Sequence, residues 1–298
     1  MKNKLPAFLA VVAANIIYGL NYVIAKGIMP DFLHPRAIIF IRTSVATLVF
    51  WVVSIFFKKD KIDKRDLPII MLSAVFGISL NQIMFFEGLN LTTSINASIL
   101  MVGIPIGVLV FSRLFGQNTI SSAKVTGLLF GTSGAAYLIL SKGSLDFSKD
   151  TFLGNVLVII NVSSYALFLV LVKPLVSKYH PLTLMKWIFL FGFLFVLPFT
   201  LPKAMEADWN LVPLNIWLSI SYVVIFATIL AYFFNNYSLT KMSAASNSAF
   251  IYSQPLIASL FAIFTGRESL KSEQIVAAVF IFVGVYFVIR PQKKLYGS

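Results

Sequence analysis

The stretch Asn96-Ala-Ser-Ile-Leu-Met-Val-Gly-Ile-Pro105 returns 150 positions later as Ser246-Asn-Ser-Ala-Phe-Ile-Tyr-Ser-Gln-Pro255. The correspondence runs without a gap from Asn96–Leu140 onto Ser246–Arg290. Past the two prolines, Gly116 falls on Gly266, Ser122 on Ser272 and Gly134 on Gly284. Upstream, at a slightly smaller offset, Tyr18 and Lys26 fall on Tyr165 and Lys173, and His34-Pro35 falls on His180-Pro181. Self-similarity on this scale means that one structural unit is used twice.

Composition says what kind of unit it is. Of 298 residues, 58% are hydrophobic and only 12% charged, against about 25% charged in a soluble domain. The chain therefore reads as integral to a membrane. A span needs about 20 mostly apolar residues, and ten runs fit: 6–28, 35–57, 68–89, 94–113, 122–141, 152–173, 181–201, 213–237, 243–265 and 272–290. Pro6, Pro35, Pro68, Pro181 and Pro213 stand at their starts, as suits first-turn positions. The basic amino-terminus followed by apolar residues has the look of a signal peptide, but its apolar run is too long for a cleaved one and is taken as the first span.

These runs divide into a first five-helix unit (1–142), a connecting loop (143–151) and a second five-helix unit (152–298). Five is odd, so the second unit lies upside down relative to the first. The fold class is an all-α polytopic membrane protein of ten transmembrane helices, built as two inverted repeats. Of the 24 lysines and arginines, sixteen fall on the side that holds the amino-terminus, the run Lys58-Lys59-Asp60-Lys61 with Lys64 and Arg65 among them, and seven fall on the other. That bias places both termini in the cytoplasm. The net charge of +13 sits in short loops, where it orients helices; no nucleic-acid surface is read from it. Inverted repeats are the plan of secondary transporters, in which one site near the midplane opens alternately to either face.

The residues also resemble a known family. The first span, Asn15-Ile-Ile-Tyr18-Gly19-Leu-Asn21-Tyr22-Val-Ile-Ala-Lys26, is similar to the W-G-x-N-[FY]-x-x-x-K opening of the drug/metabolite transporter superfamily in its ten-helix EamA-type branch, with Tyr18 in the tryptophan position. Arg42 matches an arginine common early in the second helix. Phe85-Phe86-Glu87-Gly88-Leu89-Asn90-Leu91-Thr92, then Pro105, then Gly116-Gln117 follow the family's order. Phe233-Phe234-Asn235-Asn236-Tyr237-Ser238, Pro255 and Gly266-Arg267-Glu268 repeat it. The resemblance covers nearly the whole chain. It implies a carrier of small metabolites, amino acids among them, mostly an exporter, in a bacterial cytoplasmic (inner) membrane. It also leaves open a homodimer through helices 5 and 10.

Polar residues inside spans are the candidate site. Asn15, Tyr18, Asn21 and Tyr22 cluster on the first span; Asn81 and Gln82 lie on the third, Asn161 and Tyr165 on the sixth, Thr228, Tyr232 and Asn235 on the eighth. The ninth offers either Asn247, Ile251 and Gln254 or Ser248, Tyr252 and Ser259. Singly, such groups are packing glue between helices. As a set recurring in both halves they outline a shared cavity, with substrate-binding candidates Asn15, Tyr18, Asn21, Tyr22, Asn81, Gln82, Tyr165, Tyr232, Asn235, Tyr252 and Gln254. Amides and hydroxyls with aromatic walls suit an amphipathic zwitterion such as an amino acid; a phosphate calls for clustered cations.

All seven aspartates fall in loops, and Glu87 is the only acid within a span. It lies roughly 31 Å along its helix from Asp66, near the outer interface, with Lys26 at similar depth and Arg42 about two turns into the second helix from the same side. A salt bridge at the outer rim, a gate and a coupling site are all open readings, with Lys173, Lys186 and Asn235 as the inner counterpart. Pro105 and Pro255 are hinges or plain kinks. Gly127, Gly131, Gly134 and Gly284 read as close-packing positions. His34 and His180 stand on opposite faces and cannot share a metal; their occurrence is explained by repeat ancestry. With no cysteine, no metal-ligand cluster and no phosphate loop, neither cofactor nor metal is implied. The partners are then a small-molecule substrate and the lipid bilayer. The alternatives to a carrier are a channel or an intramembrane lipid-modifying enzyme; the second wants acid pairs or a nucleophile with its base, which the spans lack.

Overall fold

A computed structural model describes residues 4–57, 60–92, 94–117, 121–141, 149–264 and 272–289. These residues are helical with short connections and no strand. That is the expected solution in lipid, where each backbone N–H and C=O must be satisfied within the chain. Ten rods result. α1 is Leu5–Lys26, α2 is Pro35–Val53, and α3 runs through Leu67–Ala74, a π-helical turn Val75–Ser79 and Leu80–Leu91. α4 is Ser94–Met101 and Ile104–Leu114, α5 is Ser122–Leu140, α6 is Lys149–Lys178 and α7 is Pro181–Glu206. α8 passes through Leu214–Ser221, a π-helical stretch Tyr222–Leu230 and Ala231–Leu239. α9 is Ala244–Ser248, a 3₁₀ stretch Ala249–Ser253 and Gln254–Phe264, and α10 is Ser272–Ile289.

Among the described residues seven helices are long and apolar enough to cross a membrane: Leu5–Lys26, Pro35–Phe56, Lys64–Leu91, Ala97–Leu114, Thr151–Lys178, Pro181–Glu206 and Leu214–Leu239, with Ile275–Ile289 a shorter apolar helix. The outer faces of the bundle carry large apolar residues such as Leu9, Leu48, Leu129, Leu218 and Phe282, as a lipid-facing surface requires. The chain is an all-α polytopic membrane protein. The loop expected at 143–151 falls mostly outside the described residues, as do Lys58-Lys59, Gly266-Arg267-Glu268 and everything from Arg290 onward.

The rods pair in a pattern that exchanging α1–α5 with α6–α10 leaves unchanged. α1 packs on α8 as α6 packs on α3; α4 leans on α6 as α9 leans on α1; α2 pairs with α7 and α5 with α10. Local details repeat as well. His34 and His180 cap the amino-termini of α2 and α7, their Nδ1 atoms accepting from Arg36 N at 3.1 Å and Leu182 N at 3.3 Å. Each occupies the extended backbone of an N-cap, with proline at the first helical position. Ancestry explains the recurrence of these histidines, and capping explains what they do. Partial desolvation lowers the His34 pKa, which favours the neutral, accepting imidazole.

α3 and α8 each carry their π-helix midway, where Ser79 Oγ and Thr228 Oγ1 reach back five residues to Ala74 O and Val223 O. A π-turn shifts the helical register by a residue, so a constant-period reading of the sequence does not reveal it. Pro105 and Pro255 are not mid-helix. Each is the second residue of a helical segment that restarts after a non-α break, Val102-Gly103 in α4 and Ala249–Ser253 in α9. Gly116, at φ 66°, ends α4 in the left-handed conformation, with Gln117 N donating to Ser112 O at 2.9 Å.

The main apolar core lies among α2, α3, α6, α7 and α8, around the fully buried Phe50, Phe86, Phe168 and Phe189. A second cluster forms where α5 and α10 close the bundle. There a Cβ on Gly284 would come within 2.5 Å of Gly131 N and 2.7 Å of Gly127 O. The glycines expected to permit close packing do so within the chain.

Candidate functional site

A cavity of about 690 Å³, its open mouth included, lies between the two halves. α1 supplies Asn15, Tyr18, Asn21 and Tyr22, α2 supplies Arg42, and α3 supplies Asn81, Gln82, Phe85 and Phe86. α4 adds Met101 and Ile104, α6 adds Asn161 and Tyr165, α8 adds Tyr232 and Asn235, and α9 adds Asn247, Ile251 and Gln254. Part of the lining recurs at equivalent positions: Tyr18 with Tyr165, Met101 with Ile251 and Ile104 with Gln254. Ten of the eleven residues singled out from sequence as substrate-binding candidates therefore meet around one space.

Hydrogen bonds between helices hold this wall. Gln254 Nε2 donates to Asn15 Oδ1 at 2.8 Å, and Tyr22 O–H donates to Gln254 Oε1 at 3.2 Å, tying α1 to α9. Asn235 Nδ2 donates to the Tyr165 hydroxyl at 2.8 Å, joining α8 to α6. The Tyr232 hydroxyl reaches Gly77 O at 3.0 Å, a carbonyl of the α3 π-turn, and Asn81 Oδ1 at 3.3 Å. Asn161 Nδ2 donates to Asn81 O at 2.8 Å, and Asn247 Nδ2 to Asn235 O at 3.3 Å and to Ser238 Oγ. Aromatic rings fill the remainder edge to face, Tyr18 on Tyr232 and Tyr22 on Phe85. Packing glue and cavity lining turn out to be largely the same residues: they spend part of their hydrogen-bonding capacity on a neighbouring helix.

Tyr252 is the exception. It is fully buried in the second cluster, its ring against Gly131 and its hydroxyl accepting from Thr132 Oγ1 at 3.1 Å. The 3₁₀ stretch in α9 turns Asn247, Ile251 and Gln254 to the cavity and Tyr252 to α5.

The charged residues are also redistributed relative to expectation. Arg42 is not at the rim: it is 4% exposed and lines the cavity, its Nε donating to Thr228 Oγ1 at 2.7 Å and its guanidinium 4.7 Å from the centre of the Phe86 ring. Glu87 pairs with Arg36, Oε1 to Nε at 2.6 Å, rather than with Lys26 or Arg42. Lys26 Nζ instead donates to Leu89 O at 2.6 Å, Asn90 O at 3.1 Å and Thr92 O at 3.3 Å, the carbonyls that the end of α3 leaves over. Its repeat counterpart Lys173 does the same at the end of α8, donating to Leu239 O at 2.5 Å. Lys186 lies 4.8 Å from the Trp51 ring and 5.9 Å from Trp187. Lys173 and Asn235 thus have different partners, the first at the end of α8 and the second on α6.

The opposite end of α3 holds a connection that sequence reasoning misses. Asp66 accepts from both Lys178 Nζ and the Tyr179 hydroxyl, Asp63 N donates to that hydroxyl at 3.1 Å, and His180 N donates to Asp60 Oδ2 at 2.7 Å. It ties the loop before α3 to the α6–α7 junction. Phe85, Phe86, Met101 and Ile104 also escape a sequence reading as lining, because apolar residues in an apolar span carry no signal of their own. Among the described residues, no group of acids and histidines could hold a metal ion.

Comparison with known proteins fits this geometry. Relatives include the uncharacterized transporter YetK of Bacillus subtilis, 24% identical over 99% of this chain and 90% of its own length. An uncharacterized transporter of Archaeoglobus fulgidus is 29% identical over 87% of this chain and 90% of its own, and a WAT1-related protein of Arabidopsis thaliana is 24% identical over 96% and 85%. A solved crystal structure superposes with a TM-score of 0.76 over 96% of this chain and 97% of that one at 14% identity, a likeness of fold. The EamA-like transporter family matches twice, over residues 5–140 and again over 152–290, and the chain belongs to that family, within the drug/metabolite transporter superfamily.

Proposed function

We propose that the protein is a secondary carrier that exports small amphipathic metabolites, amino acids among them, across a bacterial cytoplasmic membrane by alternating access. In this reading all ten rods cross the bilayer, the units 1–142 and 152–298 are inverted about an axis in the membrane plane, and both termini are cytoplasmic. The observation that carries it is the cavity wall, contributed by both halves and in part by equivalent positions of the two. A site on the axis relating two such units can face either side when one unit rocks against the other.

The ends of the cavity supply the matching closures. We assign the Arg36–Glu87 pair to the outer mouth and the Asp66–Lys178–Tyr179 connection to the inner one, with Lys26 and Lys173 as helix-end caps beside them. The lining of Asn15, Tyr18, Asn21, Tyr22, Asn81, Gln82, Tyr165, Tyr232, Asn235 and Gln254 offers amides, hydroxyls and aromatic faces to the cargo. The breaks before Pro105 and Pro255 are the points at which α4 and α9 bend.

Counterflow into proteoliposomes tests this. Purified protein preloaded with unlabelled amino acid should accumulate the labelled one saturably, and Tyr18→Ala or Asn235→Ala should abolish the exchange. Non-saturable flux without counterflow would mark a channel. Turnover of lipid without flux would mark an enzyme.

A further inference from the structure

Arg42 is the one charged side chain among the residues of the cavity wall. Its guanidinium carries five N–H donors, of which Nε is committed to Thr228 Oγ1. Among the described residues the ion pairs are Arg36 with Glu87, Lys178 with Asp63 and Asp66, and Lys203 with Glu206. None of these carboxylates reaches Arg42, and its terminal nitrogens meet no acceptor among the described residues. A buried cation without a partner is costly unless something brought to it supplies the negative charge. Arg42 also breaks the symmetry of the site. At the offset that places His34 on His180, its position falls on the buried, apolar Ile188, so repeat ancestry does not account for the charge.

Other groups in the same space are left over. Among the described residues Asn21 Oδ1 is buried without a hydrogen-bond partner, although such groups are normally paired, and the buried Gln82 amide has no neighbour of its own beyond the Tyr232 hydroxyl. The wall around them is aromatic: Tyr18, Phe85, Phe86 and Tyr232. A planar donor fork at one side of an aromatic slot fits a carboxylate, which a guanidinium holds through two parallel hydrogen bonds. A phosphate fits poorly, because no second cation is among the lining residues.

We propose that Arg42 is the specificity-determining anchor for a carboxylate on the cargo. The bound molecule is an organic monocarboxylate or an amino acid, its acid group on the terminal nitrogens of Arg42 and its apolar body among the tyrosine and phenylalanine rings. An amino group, where present, meets the oxygens of Asn21 and Gln82. The assignment rests on the carrier reading for its biological sense, but binding tests it independently.

Phenylacetate, phenylacetamide, phenethylamine and L-phenylalanine serve as probes, titrated into the full chain in nanodiscs. Wild-type protein should bind phenylacetate and L-phenylalanine at least about 30-fold more tightly than the amide and the amine, the share expected of one buried charge-assisted pair. Arg42→Gln should lose that preference while keeping its weak hold on the amide, and Arg42→Lys should keep part of it. Equal binding of acid and amide by the wild type overturns the anchor and needs no variant to do so. So does an Arg42→Gln protein that still prefers the acid, an affinity for chloride equal to that for phenylacetate, or folded wild-type protein that binds neither acid below about 10 mM. Counterflow indifferent to the carboxylate would remove the anchor and leave the carrier. Acid binding through Arg42 with no counterflow of any probe would remove the carrier and leave the anchor.

Discussion

The hydrogen bond between Asn235 and Tyr165 joins α8 to α6 across the cavity wall and offers a magnitude that can be worked out. Both side chains are buried, at 4% and 9% exposure, and Asn235 Nδ2 lies 2.8 Å from the Tyr165 hydroxyl. Tyr165→Phe keeps the ring and removes only the hydroxyl, the acceptor of this bond. In water-soluble proteins a buried bond of this kind is worth about 1 kcal/mol net, and leaving a donor unsatisfied costs about 1–3 kcal/mol. In a membrane the unfolded helices find other partners, and measured couplings average about 0.6 kcal/mol with a maximum near 1.7. The expected loss for Tyr165→Phe is therefore about 1 kcal/mol, with a coupling to Asn235→Ala of about 0.5–1.5 kcal/mol. A double-mutant cycle on unfolding in mixed detergent measures it. A coupling within about 0.3 kcal/mol of zero, the level at which independent sites add, would refute the claim that this bond fastens the two helices. The same variants carry a functional readout, because the pair faces the cavity: KM in the counterflow assay should rise for Tyr165→Phe even where stability has changed little.

Two further perturbations follow from packing and capping. Gly284→Ala places a methyl 2.5 Å from Gly131 N and 2.7 Å from Gly127 O, and because backbone cannot step aside α5 and α10 must separate, at a cost near the upper end of about 1–3 kcal/mol for overpacking. Gly27→Ala, where the nearest atoms lie at 3.5 Å, should shift the same unfolding transition by no more than about 0.5 kcal/mol. Lys26→Met and Lys173→Met should each cost about 1 kcal/mol from lost contacts to helix-end carbonyls. Both variants should leave counterflow saturable with an unchanged KM; a leak in either would return these lysines to the role of gates.

The repeat, the ten apolar runs and the polar stripes are legible because each leaves a periodic or duplicated mark in the sequence. Tyr18 and Tyr165 are found in that way, and so is the choice between two faces of the ninth helix. Which face wins is not legible: Tyr252 and Gln254 are separated only by the rewinding of Ala249–Ser253 as a 3₁₀ segment, and periodicity assumes a constant turn. The π-helices in α3 and α8 escape for the same reason. A sequence reading groups Arg42 with Glu87 in a salt bridge at the outer rim although it stands two turns into α2, whereas the cavity extends to that depth and takes Arg42 into its wall. For Glu87, depth alone suggests the wrong partners. Depth does not fix azimuth around the helix, and Arg36 at the start of α2 faces it where Arg42 does not. The Asp66–Lys178–Tyr179 connection joins positions over a hundred apart in sequence and carries no motif.

The chain contains no cysteine, so a single thiol introduced into the cavity can be read without interference. Gln82→Cys replaces a side chain that lines the cavity. Membrane-impermeant thiol reagents would be applied from outside to intact cells and from inside to inverted vesicles. The account requires the thiol of the Gln82→Cys protein to react from both faces, with cargo slowing the reaction from each side, while a Leu129→Cys protein, altered on the lipid-facing surface, stays unmodified from either. Reaction from one face only, under all conditions, would contradict a cavity that opens alternately to the two sides of the membrane.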